Sequence, residues 1–163
     1  MERVKDRVKK NIAIAKKKRL VCSILVAMFV LLAAGCTSSK TVTYNVETGD
    51  SISIKLDTSE GYDISTDVPF TISQNDETIS QGTFITAESY QQYVDAVKST
   101  EGVTIIDSGE NDTCEYLMWN SNDTEYDYVV LIKESNTGVL IGNNVSEKSA
   151  KECFNRLTIS IAK

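Results

Sequence analysis

The sequence predicts an α+β domain in which an antiparallel β-sheet packs with two main α-helices, preceded by an N-terminal signal helix. Segments of alternating apolar and polar residues recur between short polar turns, which is typical of antiparallel strands. Two other segments place apolar residues at i, i+3, i+4 and i+7, the spacing of an amphipathic helix. Near the N-terminus, residues 20–34 form an uncharged apolar run.

The net charge of −6 divides unevenly along the chain. Residues 1–35 carry nine Lys or Arg against two acidic residues, a charge of +7, whereas residues 36–163 carry eight against 21, a charge of −13. The fifteen residues of the apolar run would span about 22 Å as a helix, less than the roughly 30 Å hydrocarbon core of a bilayer. A basic segment before a short apolar one is typical of a secretory signal, so the remainder is predicted to be exported.

The apolar run ends in Leu-Ala-Ala-Gly-Cys at residues 32–36. This segment resembles the lipobox of bacterial lipoprotein precursors. The resemblance implies cleavage between Gly35 and Cys36 and a diacylglyceryl group on the Cys36 thiol, which anchors the protein on the extracytoplasmic face of the cell membrane. It divides the chain into a signal peptide (1–35), a lipidated cysteine with a short tether (36–40) and one exported domain (41–163). The alternative is an uncleaved signal anchor.

The exported domain is predicted to begin with two β-hairpins. The first joins alternating segments at residues 41–46 and 52–56, and the second runs from Phe70 through a turn at residues 75–76 to Ile85. A helix follows because Thr86 is a good N-cap and the next residues form an apolar stripe. The stripe consists of Tyr90, Tyr93, Val94 and Val97, and Gly102 is expected to terminate the helix.

A meander of strands and a final helix complete the prediction. The strands are expected at residues 103–106, 113–119, 126–133 and 139–141, and the third is apolar on both faces, which is typical of a central strand. Ser146 caps the last helix, whose inward stripe is Ala150, Cys153, Phe154 and Leu157. Ile159 and Ile161 either extend this helix or form a terminal strand.

Over about residues 57–161 this order resembles the PsbP-type α/β/α sandwich. The likeness is carried chiefly by Gly82-Thr83-Phe84 leading into a Tyr-rich helix and by the final helix at 150–157. It implies a scaffold for binding and assembly rather than for catalysis, although a fold does not by itself assign a function.

The sequence predicts no catalytic, metal or cofactor site. Histidine is absent, the one S-x-x-K motif lies at the C-terminus, and no phosphate-binding glycine motif occurs. The charge of −13 opposes binding to nucleic acid and favours a cationic protein or peptide partner, with simple solubility as the alternative explanation.

Cys114 and Cys153 are both predicted to point into the core, where they form either a disulfide or two buried thiols. Around the turn at residues 120–125 the sequence also predicts an exposed ledge for a ligand. It would combine Trp119 and Tyr126 with the carboxylates of Asp123, Glu125 and Asp127. The alternatives are packing of the aromatic residues on the sheet, a solvated strand edge, and a loose calcium site on the carboxylates.

These observations lead to two functional hypotheses. The first is a non-enzymatic, surface-tethered lipoprotein that binds a partner or assists envelope assembly. The second is an acidic inhibitor or immunity protein that neutralises a cationic enzyme or toxin at the envelope.

Overall fold

The computed structural model describes residues 38–122 and 124–162. The predicted signal helix, the cleavage site at Gly35, the lipidation site at Cys36 and Asp123 lie outside these residues. Ten strands, two helices and a short 3-10 turn make up the described chain. In order they are β1 (Ser39–Asn45), β2 (Ser51–Asp57), the 3-10 turn (Ser59–Gly61), β3 (Tyr62–Ile64), β4 (Phe70–Gln74), β5 (Glu77–Thr86), α1 (Ala87–Ser99), β6 (Thr104–Glu110), β7 (Cys114–Asn122), β8 (Glu125–Ile132), β9 (Thr137–Asn143), α2 (Glu147–Asn155) and β10 (Leu157–Ile161).

The first hairpin belongs to a separate three-stranded sheet with the order β1-β2-β10. The terminal segment is therefore a strand, and Ile159 pairs with Ile54 of β2. The expectation of a single sheet was wrong. The alternation of apolar and polar residues shows that one face of a hairpin is buried. It does not show which sheet or helix covers that face.

The other strands form a seven-stranded antiparallel sheet with the order β3-β4-β5-β9-β8-β7-β6. As predicted, β8 is a central strand, and Val129 and Val130 are buried on its opposite faces. The short strand β3 was not predicted, because three residues are too few to show an alternation.

Both helices begin at the predicted caps. The hydroxyl of Thr86 accepts a hydrogen bond from the Ser89 amide, and that of Ser146 accepts one from the Ser149 amide, each at 3.1 Å. Of the predicted α1 stripe, Tyr90, Val94 and Val97 are buried and Tyr93 is partly exposed. Leu157, expected at the end of the last helix, instead begins β10.

The core divides into two clusters on opposite faces of the seven-stranded sheet. On one face, apolar residues of the three-stranded sheet and of α2 pack against alternate residues of the large sheet, including Phe70, Met118 and Tyr128. On the other face, the α1 stripe packs on Leu117, Trp119 and Val129. The seven-stranded sheet is thus the middle layer, and the predicted α+β class is confirmed.

Polar contacts join the three-stranded sheet to the rest of the domain at several places, of which two lie next to its turns. Near the turn between β1 and β2, the Thr137 hydroxyl donates to Asp50 Oδ2 at 2.7 Å. Near the start of β10, the Arg156 guanidinium lies 4.3 Å from the centroid of the Tyr62 ring and donates to Ser59 Oγ at 2.8 Å. Within the described residues, no helix has the length and apolar character required to cross a membrane.

Candidate functional site

The two aromatic residues of the predicted ledge lie on opposite faces of the large sheet. Trp119 pairs with Asp127 across β7 and β8, whereas Tyr126 pairs with the neighbouring Asn120. Because successive side chains of a strand alternate between faces, Trp119 and Tyr126 point in opposite directions. The ledge as predicted is therefore not formed.

Each aromatic residue instead packs within its own layer. Trp119 is 6% exposed and stacks with Tyr93 of α1 at a centroid distance of 6.2 Å. Tyr126 is half-buried against the core between the sheets. The alternative explanation, packing on the sheet, applies to both residues.

The carboxylates of Glu125 and Asp127 share the α1 face of the large sheet and line a groove of about 630 Å³. A row of paired residues crosses the sheet here, from Gln81 through Gly142 and Asp127 to Trp119. The next row on the same face consists of Leu140, Val129 and Leu117. Helix α1 packs over this second row, so the groove lies beside the helix. Pro69, Thr83 and Val145 also line the groove.

Gly142 leaves space beside the Asp127 carboxylate because it has no side chain. A Cβ atom at this position would lie 3.1 Å from Asp127 Oδ1, so any side chain would crowd the carboxylate. A glycine within a strand often marks a place where another group comes close to the backbone. Gly142 was not predicted as part of the site, because the predicted strand ended at residue 141 and β9 extends to Asn143.

Asp127 is the partly buried carboxylate of the groove. Burial and the nearby Glu125 carboxylate raise the pKa of Asp127 to about 6. Its charge is therefore present at neutral pH and is lost as the pH falls through about 6. A bound ammonium or guanidinium group would stabilise the ionised form, because an opposite charge lowers the pKa of a carboxylate.

The two groove carboxylates are chemically able to pair with a cationic side chain. A carboxylate accepts hydrogen bonds from ammonium and guanidinium groups in charge-assisted geometry. Among the described residues, no three His, Cys, Asp or Glu side chains are grouped so that they could hold a metal ion. Asp123, the third carboxylate of the predicted calcium alternative, lies outside those residues.

The two cysteines of the exported domain are buried and unbridged in the structure. The Cys114 sulfur donates to Asn111 Oδ1 at 3.4 Å, and Cys114 pairs with Ile132 in β8. Next to Cys153, Phe154 stacks on Tyr128, at a centroid distance of 4.1 Å. Tyr128 precedes Ile132 by four residues, a separation of about 13 Å along a strand. A disulfide requires Cα atoms within about 7 Å, so this geometry favours the alternative of two buried thiols.

Neither cysteine has the surroundings of a nucleophile. Burial raises the pKa of both the Cys114 and the Cys153 thiol. The thiolate is the reactive form of cysteine, and reactive cysteines usually have lowered pKa values.

Comparisons with protein families, with curated proteins and with solved structures find no match to this chain. The proposals below therefore depend on the sequence and the geometry of the chain itself.

Proposed function

We propose that the protein is a lipid-anchored, extracytoplasmic lipoprotein of a bacterial cell envelope that acts as a non-enzymatic binding or assembly module. The observation that carries this proposal is the order of a basic segment, an apolar run and Leu-Ala-Ala-Gly-Cys before Cys36. The position of the folded domain supports it, since β1 begins three residues after that cysteine. Two acyl chains are enough to hold a protein stably on a membrane.

We also propose that the domain is a variant of the PsbP-type sandwich. A helix on each face of a central antiparallel sheet supports this assignment. The three-stranded sheet beside α2 is an addition to the expected arrangement. By that resemblance, the domain serves to bind or assemble with other molecules.

The anchor is tested by growing cells with a labelled fatty acid. We expect the label on the wild-type protein and its loss in Cys36→Ser, which should accumulate with residues 1–35 attached. Ser39→Ala is the matched control, because it alters an exposed residue beyond the cleavage site. Normal labelling and maturation of Cys36→Ser would contradict the anchor.

The second hypothesis, an inhibitor or immunity protein for a cationic enzyme or toxin, is favoured by the charge of −13 and by the two carboxylates in the groove. Surface charge attraction weakens as salt increases, because the Debye length falls from about 10 Å at 0.1 M to about 3 Å at 1 M. Capture of envelope proteins at low and high salt therefore separates the hypotheses. A basic partner released by salt indicates inhibition, and a salt-resistant partner indicates assembly.

Matched variants connect that partner to the groove. We expect Asp127→Asn and Glu125→Gln to reduce capture of a cationic partner. Glu101→Gln removes the same charge from an exposed position outside the groove and should leave capture unchanged. Equal capture by all three variants would show that the groove carboxylates do not bind the partner.

A further inference from the structure

The outer face of the three-stranded sheet differs in charge from the rest of the exported domain. Its ten side chains alternate with the buried residues of β1, β2 and β10, and none of the ten is itself buried. Seven are Ser or Thr, and the only charges are Lys55 and Asp57, which cancel. The ten residues are Ser39, Thr41, Thr43, Asn45, Ser51, Ser53, Lys55, Asp57, Thr158 and Ser160.

Opposite this outer face, the layer formed by α1 is acidic. Glu88, Asp95 and Glu101 lie exposed on α1 or within two residues of its end, and Lys98 is the one basic side chain of that helix. The groove with Glu125 and Asp127 lies on the same face of the seven-stranded sheet. The two sides of the domain therefore present a neutral, hydroxyl-rich surface and a negative one.

The proposed anchor restricts where the domain can lie. Cys36 is separated from Ser39, the first residue of β1, by three peptide steps, which span at most about 11 Å. The surface of a bacterial membrane that contains anionic lipids repels acidic groups within about one Debye length, roughly 8 Å at physiological salt. Residues 36–163, with a charge of −13, are least repelled at this distance when the neutral face is turned toward the lipids.

We propose that the outer face of the three-stranded sheet lies against the phospholipid headgroups. Its hydroxyl groups are suitable donors to lipid phosphate and carbonyl oxygens. Since α1 and the groove lie on the far side of the seven-stranded sheet, this orientation turns the Asp127 carboxylate away from the membrane and toward extracytoplasmic partners. The inference rests on the proposed anchor at Cys36.

The experiment measures which face of the lipidated mature protein is shielded by a membrane. Protein processed in cells is reconstituted in vesicles of phosphatidylcholine and phosphatidylglycerol and treated with a membrane-impermeant maleimide. Thr43→Cys places a thiol on the outer face, and Gln92→Cys places one on the exposed side of α1. The native thiols of Cys114 and Cys153 are buried and provide the background.

We expect the thiol at position 43 to react about tenfold more slowly in vesicles than in detergent, a ratio that corresponds to about 1.4 kcal/mol of orientational preference. The thiol at position 92 should react at the same rate in both. Adding Ser53→Glu to Thr43→Cys should restore fast labelling, because the new charge is repelled by the anionic lipids.

Three results would overturn the proposal. Equal rates at the two positions on vesicle-bound protein would refute the orientation and leave the anchor intact. Slow labelling at position 43 in detergent as well would show that a second copy, not lipid, covers this face. Failure of the lipidated fraction to form, or to bind vesicles, would refute the proposed anchor and this inference with it.

Discussion

At the scale of single residues, the chemistry of the groove centres on Asp127. Its raised pKa of about 6 arises from burial and from the Glu125 carboxylate. The folded protein therefore keeps the Asp127 proton to a higher pH than the unfolded chain, in which an Asp pKa is about 3.9. Between these two pKa values the folded state binds more protons, so this residue lowers stability as the pH rises from about 4 to 6.

Asp127→Asn should consequently stabilise the protein at neutral pH and have little effect at acidic pH. The gain in the free energy of unfolding at pH 7.5 should be about 1 kcal/mol, after allowance for solvent screening of a half-exposed group. Urea unfolding at pH 3.5 and pH 7.5 provides the measurement. A gain of the same size at both pH values would show that the effect does not come from titration of Asp127.

A second residue-scale prediction concerns Gly82 in β5. A Cβ atom at Gly82 would lie 2.1 Å from Phe70 Cζ, and Phe70 is fully buried between Tyr44 and Phe84. Gly82→Ala should therefore reduce the free energy of unfolding by about 2–3 kcal/mol, the cost of overpacking a core.

Gly109→Ala is the matched control for Gly82→Ala. The nearest atoms to its added methyl group belong to the partly exposed Tyr116 ring and lie 3.0–3.2 Å away, compared with 2.1–2.8 Å for the Phe70 atoms at Gly82. The loss there should be smaller, and chemical denaturation measures both. A loss at position 82 no larger than that at position 109 would contradict the packing described here.

At the scale of elements, each helix depends on a side-chain cap. The Ser146 hydroxyl accepts the Ser149 amide at the start of α2. Ser146→Ala should lower the free energy of unfolding by about 1 kcal/mol, and Ser146→Asp should restore most of it because Asp is an equally good cap. Thermal unfolding compares the three proteins. If Asp is as destabilising as Ala, the cap is not the source of the effect.

The buried thiols of β7 and α2 give a second prediction at this scale. In a variant with Cys22→Ser and Cys36→Ser, the unreduced protein should show two free thiols after denaturation and almost none when folded. The physical reason is that Cys114 and Cys153 are buried and their thiol pKa values are raised. A thiol-reactive dye counts both states. Zero thiols after denaturation would establish the disulfide.

Periodicity in the sequence predicted most elements because each signal is local. The α1 stripe, the caps at Thr86 and Ser146, and the central position of β8 each follow from residues within one segment. The prediction of the ligand ledge was wrong for a different reason. Whether residues on two adjacent strands share a face depends on their register, and β7 also carries an irregularity between Asn120 and Asn122. Neither feature can be derived from alternation alone.

The sequence predicted the two carboxylates of the groove but not the residues beside them. Glu125 and Asp127 were singled out by their charge, whereas Gln81 lies on β5, which is distant in sequence, and Gly142 lies one residue beyond the strand predicted at residues 139–141. The three-stranded sheet was not predicted either, because β10 joins it from the C-terminal end of the chain and local patterns do not show such pairing. Sequence periodicity carries no information about which distant strands pair with each other.

At the scale of the whole molecule, the anchor, the neutral outer face and the acidic groove combine into one arrangement. The proposed anchor at Cys36 would hold the domain near the lipids, and the layer order places the groove on the side of the seven-stranded sheet away from the three-stranded sheet. In that position the charge of −13 would favour cationic partners. We propose that the Cys36 lipid determines where the protein acts and that the groove determines what it binds.

The most direct test of that account is the mass of the N-terminal peptide of the protein extracted from cell membranes with detergent. We predict a peptide that begins at Cys36 and carries a diacylglyceryl group on its thiol, with residues 1–35 absent. A mature chain that retains residues 1–35, or that begins at Cys36 with an unmodified thiol, would contradict the central claim.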